Sequence, residues 1–422
     1  MKRIIAIAQR RGFKKHDYNS CGEISSDDEE YISQDVIGNI YNKKYIVLKY
    51  LNKGSFCRVW LVYSIEDDNF YAMKIQDNYS AALHERSMFD KIGNDCPYVM
   101  KLHDSFDIER EGELPIICFV CELLGKEIFE LFNIYRNGLP IHNVKRIMIH
   151  MLKALEHIHH TCNVVHTDLK MENILCGTLS KDVQGIIDWF KSLNPKEILT
   201  CNIEFPKEFS KNKKLHERKI FKKKAIAKLQ ELVRKYFESN KNVDNSYNNE
   251  YNHITSYKLC DFGNCCSIFK HITEDVQTRQ YRAPEVIIGQ SYNTKADIWS
   301  LGCILYELLI GEYLFNPQSN KNKIDRDRKH IALMYSVLGE MPKYMSSQCN
   351  LSDCIFDKKG RVIKYKNKFT KTSLEELLSK RKDLTKEDIS LISDLLKKML
   401  DYNWISRFTA KQCLEHKWLN NI

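Results

Sequence analysis

No run in the 422 residues is apolar for long enough to cross a bilayer; the best candidate, 301–310, is interrupted by Glu307. A secretory leader is not expected either. Met1-Lys2-Arg3 and the apolar residues 4–8 begin like one, but the stretch is too short and Arg10-Arg11 closes it, which leaves an Arg-rich transit segment as the remaining targeting alternative. There is no internal repeat, which sets aside stacked-repeat architectures. Nor is there a disulfide framework: the 15 cysteines are scattered and odd in number, the usage of reduced thiols in an intracellular protein. The sole C-x-x-C, Cys118-Phe119-Val120-Cys121, lies in an apolar run that reads as a strand. Residues three apart on a strand face opposite sides, so these thiols read as core rather than as chelators.

What the chain has is apolar substance. With 43% hydrophobic and 11% aromatic residues it can bury large cores, and its length suggests two or three compact units. Residues 45–51, 59–63 and 70–74 are rich in β-branched and aromatic side chains. A glycine-bearing turn and Glu66-Asp67-Asp68-Asn69 part them, which predicts three consecutive antiparallel strands. A short helix over 81–89 and a strand over 115–124 complete a small, sheet-rich unit. After Leu124 the period changes: Ile147, Met151, Ala154, Leu155 and Ile158 recur on one helical face, and 286–310 and 391–400 continue in kind. The fold class is α+β, a small antiparallel-sheet lobe followed by a larger helical lobe.

The formal charge of +10 is unevenly spread. Residues 176–256 hold sixteen Lys/Arg against ten Asp/Glu, so more than half of the excess sits in one segment. Within it Ile226, Leu229, Val233 and Phe237 mark an amphipathic helix, and Asn-rich text follows over 240–252. The basic run 211–228 reads equally well as a solvated face or a binding surface. Only Phe221, Tyr236 and Phe237 accompany it as stacking candidates, so nucleic acid is not the expected partner. Residues 1–35 pass from a basic patch to Ser25-Ser26-Asp27-Asp28-Glu29-Glu30 and read as a flexible arm.

The chemistry lies in motifs that follow one another in a fixed order. Ala72-Met73-Lys74 ends the third strand; Val165-His166-Thr167-Asp168-Leu169-Lys170-Met171-Glu172-Asn173 follows the long amphipathic helix; Asp261-Phe262-Gly263 follows the apolar-leaning 257–260. Tyr281-Arg282-Ala283-Pro284-Glu285 and Asp297-Ile298-Trp299-Ser300 come next. Phosphoryl transfer needs positioning and charge neutralisation more than covalent chemistry, and two carboxylates, an amide and lysines supply that. Read as the H-x-D-x-x-x-x-N loop, the D-F-G and the strand lysine of a protein kinase, Asp168 accepts the proton of the substrate hydroxyl. Asn173 and Asp261 hold Mg²⁺, Lys170 neutralises the transferring group, and Lys74 pairs the upstream phosphates with Glu85 as its ion-pair partner. Leu51-Asn52-Lys53-Gly54-Ser55-Phe56-Cys57-Arg58-Val59 stands in the place of a nucleotide-covering G-x-G-x-x-G, with Asn52 and Cys57 where two glycines belong. Gly54 keeps the closest backbone approach and Asn tolerates left-handed geometry, so a working but less pliant cover is expected. Asn173 and Asp261 are 88 positions apart where a short hairpin would do, so an insertion of roughly 70 residues is expected.

Outside that insertion, residues 36–422 resemble a eukaryotic serine/threonine protein kinase. The Tyr281 to Glu285 motif and the extra segment around 331–342 resemble the CMGC group, which contains the cyclin-dependent and mitogen-activated kinases. His166-Thr167-Asp168, Thr273-Glu274-Asp275-Val276-Gln277-Thr278-Arg279-Gln280-Tyr281-Arg282 and His330-Ile331-Ala332-Leu333 are similar to serine/arginine-protein kinases, which also carry a charged spacer here. The resemblance implies a bilobal protein-kinase fold: arm 1–35, small lobe 36–124, and large lobe 125–422 interrupted by a basic insert at 177–255. It implies ATP and Mg²⁺ as cofactors, with adenine held by the backbone of Glu122 and Leu124 beside Ala72, and Cys121 controlling access behind it. Thr278 would support the Asp168–Lys170 pair, and Glu285 would brace the large lobe through Arg407. Protein substrates, Arg/Ser-rich or basic ones among them, a monomeric state, no membrane attachment, and a cytoplasmic location with the nucleus as a second one are implied too.

Three departures bear on function. Thr167 stands where most kinases carry an arginine that grips an activation-loop phosphate, so activity without loop phosphorylation is expected. Lys329 and Ser336 stand where the family presents acids to Arg-rich substrates, although Asp325 and Asp327 are close by. Met171 replaces a proline, which removes a rigid φ but no catalytic group. The rival reading is a catalytically weak, kinase-like scaffold that binds partners through the basic insert. Because both ends of the insert can close a short hairpin, deleting 177–255 is expected to leave the core intact.

Overall fold

The computed structural model describes residues 36–53, 57–200, 210–239, 254–271, 273–318, 322–347, 349–365 and 370–420. The arm expected over 1–35, the turn 54–56 and the Asn-rich text over 240–252 lie outside the described residues. The small lobe is a six-stranded antiparallel sheet in the order β1-β2-β3-β4-β6-β5. Its strands are β1 (Ile40–Tyr41), β2 (Tyr45–Lys53), β3 (Cys57–Ser64), β4 (Asn69–Gln76), β5 (Leu102–Arg110) and β6 (Glu113–Glu122). Strand β5 is not expected from its half-buried, polar text, which becomes a strand by hairpin pairing with β6. On β6, Cys118 and Cys121 join different apolar clusters, as their spacing predicts. Helix α1 (Tyr79–Ile92) starts where Asn78 accepts from the Ala81 amide, and it buries Ala82, Glu85, Met88, Phe89 and Ile92.

The central strands are apolar on both faces. Tyr45, Val47, Trp60, Val62, Tyr71 and Met73 fill one side, and Ile46, Leu48, Leu61, Tyr63 and Phe70 the other. A sheet face of that kind needs a cover. The insert provides it: Val183, Ile186, Ile187 and Phe190 of one insert helix and Leu229 and Val233 of another complete the second cluster. Here α2 is Ile141–Glu156, α3 Lys181–Ser192, α4 Pro195–Leu199 and α5 Lys211–Ser239. The Phe190 ring lies 4.8 Å from Tyr63 and 6.0 Å from Phe70, and Trp189 stacks on Tyr236 at 3.7 Å. Gln230 donates to the Gly38 carbonyl at 2.7 Å, and Lys49 pairs with Asp182 at 3.0 Å. The other side of α5 leaves Lys222, Lys223 and Lys224 in solvent.

The insert springs from the expected hairpin, β8 (Ile174–Cys176) against β9 (Tyr257–Leu259), while β7 (Val164–Val165) pairs with β10 (Cys266–Ser267). The hairpin closes as expected, but the insert is also packed on the small lobe, which bears against the expectation that the core survives its deletion. Among the described residues, six insert side chains are buried on the small lobe against five apolar side chains of its sheet. The large lobe continues with helices α6 (Lys295–Ile310), α7 (Lys323–Leu338) and α8 (Lys386–Met399). All of α6 from Ala296 to Ile310 is buried, matching its apolar text. Glu285 and Arg407 form a fully buried pair at 2.7 and 2.9 Å, and the guanidinium lies over Trp299. Among the described residues no helix is long and apolar enough to cross a membrane.

Candidate active site

The edge of the cleft is set by an ion pair that only folding could assemble. Lys74 leaves β4 beside α1 and donates to both carboxylate oxygens of Glu85, at 2.7 and 2.9 Å. Glu85 sits wholly buried on the apolar face of α1, tolerable for a carboxylate only in such company. Burial works against both charges; for Lys74 it is outweighed by Glu85 and then Asp261, which keep the ammonium protonated. Asp261 reaches Lys74 from the large lobe at 3.3 Å. Its backbone is left-handed, φ 65°, and Phe262 behind it is buried edge-on to Phe89 of α1 at 5.2 Å.

Asp168 is the centre of the second group. Thr278 Oγ1 donates to one carboxylate oxygen at 2.7 Å, Lys170 Nζ to the other at 2.8 Å, and Asn264 reaches the latter at 3.4 Å. Burial pushes the Asp168 carboxyl up, but Lys170, by charge and hydrogen bond, and then Thr278 outweigh it and hold the group below its ordinary range. Asn173 Nδ2 donates to the Asp168 carbonyl at 2.9 Å, which leaves its amide oxygen to serve as a hard donor alongside the partly exposed Asp261 carboxylate. Oxygen donors of this kind suit Mg²⁺.

The loop that carries Asp168 hangs on Asp297, a residue the sequence reading placed in a motif without giving it a task. Asp297 accepts from the His166 and Thr167 amides at 2.8 and 2.9 Å and contacts His159 at 2.7 Å. Thr167 itself is left-handed, φ 66°, and donates to the Asn264 carbonyl at 2.7 Å. Neither a positive φ on a threonine nor a contact spanning 130 positions leaves a mark in a sequence pattern.

The remaining expected nucleotide contacts line β2, β3, β4 and β6. Leu51, Asn52 and Lys53 end β2, Cys57, Arg58 and Val59 begin β3, and Gly54, Ser55 and Phe56 lie outside the described residues. Val59 pairs with Lys74 and Ala72 with Cys121 in the sheet register. Burial pushes the Cys121 thiol up to about 12, so it acts as a neutral wall. The Glu122 amide is taken by the Lys101 carbonyl at 3.0 Å and its carboxylate by Lys258 at 2.6 Å. Gly125 follows Leu124 because a Cβ there would strike the Thr178 carbonyl at 1.9 Å. Asn52 donates to Glu127 at 2.9 Å, a link from the nucleotide cover to the chain just past Leu124 that the sequence did not suggest. Burial and then Glu172 push the Glu127 carboxyl up to about 7.

A two-lobed molecule with a lysine–glutamate pair, two carboxylates and an amide facing one cleft has the anatomy of a protein kinase. The chain matches the protein kinase domain family over residues 45–195 and 241–419 and belongs to it. Within that family it belongs with the serine/arginine-protein kinases, and it is a protein serine/threonine kinase. It is 31% identical over 398 residues to serine/threonine-protein kinase SRPK of Physarum polycephalum, covering 92% of this chain and 88% of that protein. It is 28% identical to putative serine/threonine-protein kinase L205 of Acanthamoeba polyphaga mimivirus (96% and 93% covered) and 26% identical to SRSF protein kinase 3 of Homo sapiens (91% and 88%).

Proposed function

We propose that the chain transfers the γ-phosphate of ATP to serine or threonine hydroxyls of Arg/Ser-rich protein segments. The observation that carries this reading is the double hold on Asp168 by Thr278 and Lys170. A carboxylate fixed by a hydroxyl and an ammonium is oriented, stays ionised, and is ready to take the proton of an incoming hydroxyl. Lys170 also places a positive charge where the transferring group would pass. Lys74 addresses the upstream phosphates, kept at its post by Glu85. Asn173 and Asp261 would hold magnesium, which when bound neutralises charge on the phosphates. The chain's own part is to orient the hydroxyl, receive its proton and hold the nucleotide still.

A basic substrate is favoured by Glu127 and Glu172. Glu172 Oε2 is buried with no hydrogen-bond partner among the described residues, and Glu172 is the charge that, after burial, raises Glu127 most. Two acids that share Lys170, itself bonded to Asp168, as a nearby cation suit an arginine brought in by a substrate. The α7 acids are less suited: Asp327 is buried on Arg279, and Asp325 is engaged by Arg328 and Lys364. Arginine recognition therefore falls to the catalytic cleft rather than to α7. The test is transfer of radiolabel from ATP to an Arg/Ser peptide and to an acidic Ser peptide, by wild type and Asp168→Ala. Labelling of the Arg/Ser peptide should fall at least about a hundredfold in the variant. Equal labelling by both proteins would support the weak-scaffold reading instead, and preference for the acidic peptide would sink the substrate class.

A further inference from the structure

Thr278 sits in a strap of the activation segment that is tied to α7 by two crossed ion pairs. From the strap, Arg279 Nη1 donates to Asp327 Oδ1 at 2.6 Å, and both side chains are buried. From α7, Lys323 Nζ donates to Asp275 Oδ2 at 2.9 Å, while Asp275 Oδ1 lies 2.8 Å from Arg282 Nη1. Asn322 caps α7 by accepting from the Asp325 amide at 3.1 Å, which fixes where Lys323 emerges. Arg282 also closes the strap on itself, donating to the Gln277 carbonyl at 3.1 and 2.8 Å. Gln277, left-handed at φ 69°, is locked in turn by its amide donating to the Ala296 carbonyl and Ser300 Oγ and by accepting from the Ala283 amide.

We infer that Asp275 and Asp327 are positioning residues of the transfer reaction: one carboxylate on the strap and one on α7 that tie the strap to α7 and so hold the Thr278 hydroxyl against Asp168. This rests on the phosphoryl-transfer reading above. In a phosphorylation-switched kinase an added phosphate, with roughly −1.5 to −2 charge, gathers arginines and orders this segment. Here Thr167 cannot grip such a phosphate, and the arginines of the segment already face carboxylates. Lys323 above all, and then Arg282, keep the Asp275 carboxyl below its usual range against the opposing effect of burial, so the anion persists at working pH.

The test uses the full chain, made in bacteria and phosphatase-treated. Asp275 is 56% exposed, so Asp275→Asn should fold normally. It should lower kcat about three- to tenfold with KM for ATP unchanged, because the nucleotide contacts are elsewhere. Asp275→Glu should keep most of the rate, and Lys323→Met should lose part of it. In a double-mutant cycle Asp275→Asn should cost little once Thr278→Ala has removed the hydroxyl it positions. Wild-type kcat in Asp275→Asn, or losses that simply add in the cycle, would overturn the inference. Hydrogen exchange reads the same contact without catalysis: Asp275→Asn should speed exchange over 276–282 and not in α6. Unchanged exchange there would sink the positioning role even for a protein that transferred no phosphate, whereas loss of transfer with the exchange difference intact would fault only the phosphoryl-transfer reading.

Discussion

Glu85 and Glu127 are carboxylates of one cleft in opposite company. Glu85 is fully buried but doubly bonded to Lys74, and Glu127 has an amide, Asn52, and another acid, Glu172. The first could be anticipated from the lysine and the helix eleven residues later, because the motif names both partners. The second could not, because Asn52, Glu127 and Glu172 lie in separate segments that meet only on folding. The sign of its effect can be worked out. Glu127 titrates near 4.5 in an unfolded chain and about 7 in the folded one. Between those values the folded protein keeps a proton that the unfolded chain releases, so this group's contribution to stability falls as pH rises through that window. Glu127→Gln, which can still accept from Asn52, should therefore raise Tm above pH 7 and change it little at pH 4. A Tm difference independent of pH would show that Glu127 is not titrating there.

At the scale of elements, the strands and the long helices were legible because hydrophobic period is a local property. The expected strands at 45–51, 59–63 and 70–74 are the cores of β2, β3 and β4, and the predicted face of α2 is its buried face. What no local pattern tells is which surface covers which. Even so, Tyr45-Ile46-Val47-Leu48 and Trp60-Leu61-Val62-Tyr63 carry no polar alternation, a sign that both sheet faces are covered. The basic charge of the insert drew the reading towards solvent, while Val183, Ile187 and Phe190 on α3 supplied the missing cover. Phe190→Ala removes a fully buried ring packed on Tyr63 and Phe70 and should cost about 3–5 kcal/mol, read from urea unfolding. Deleting 177–255 and rejoining the β8–β9 hairpin should be worse, giving a protein that exposes its small-lobe sheet and aggregates. A soluble deletion protein with unchanged Tm would show that the α3 and α5 contacts contribute nothing.

The whole molecule brings its two lobes to one point, where Lys74 of the small lobe and Asp261 of the large lobe stand 3.3 Å apart. The lysine comes from a sheet held by α1 and the insert, and the aspartate from a loop locked beneath Phe262. A ligand that engages both groups must therefore couple the two lobes further, beyond the apolar cluster they already share where Phe89 and Phe119 of the small lobe meet Phe262 of the large. Binding to the native state alone raises stability by about 2.7 kcal/mol at a hundredfold excess over Kd, and magnesium nucleotide is expected to do this for the entire chain in one transition. Asp261→Ala removes the large-lobe oxygen donor but leaves the Lys74–Glu85 pair and the adenine-side backbone untouched. ATP alone should then still raise Tm, while the further rise produced by magnesium should vanish. If magnesium adds as much to the variant as to the wild type, the metal is held elsewhere. If ATP shifts neither protein, the two lobes do not close on a nucleotide at all.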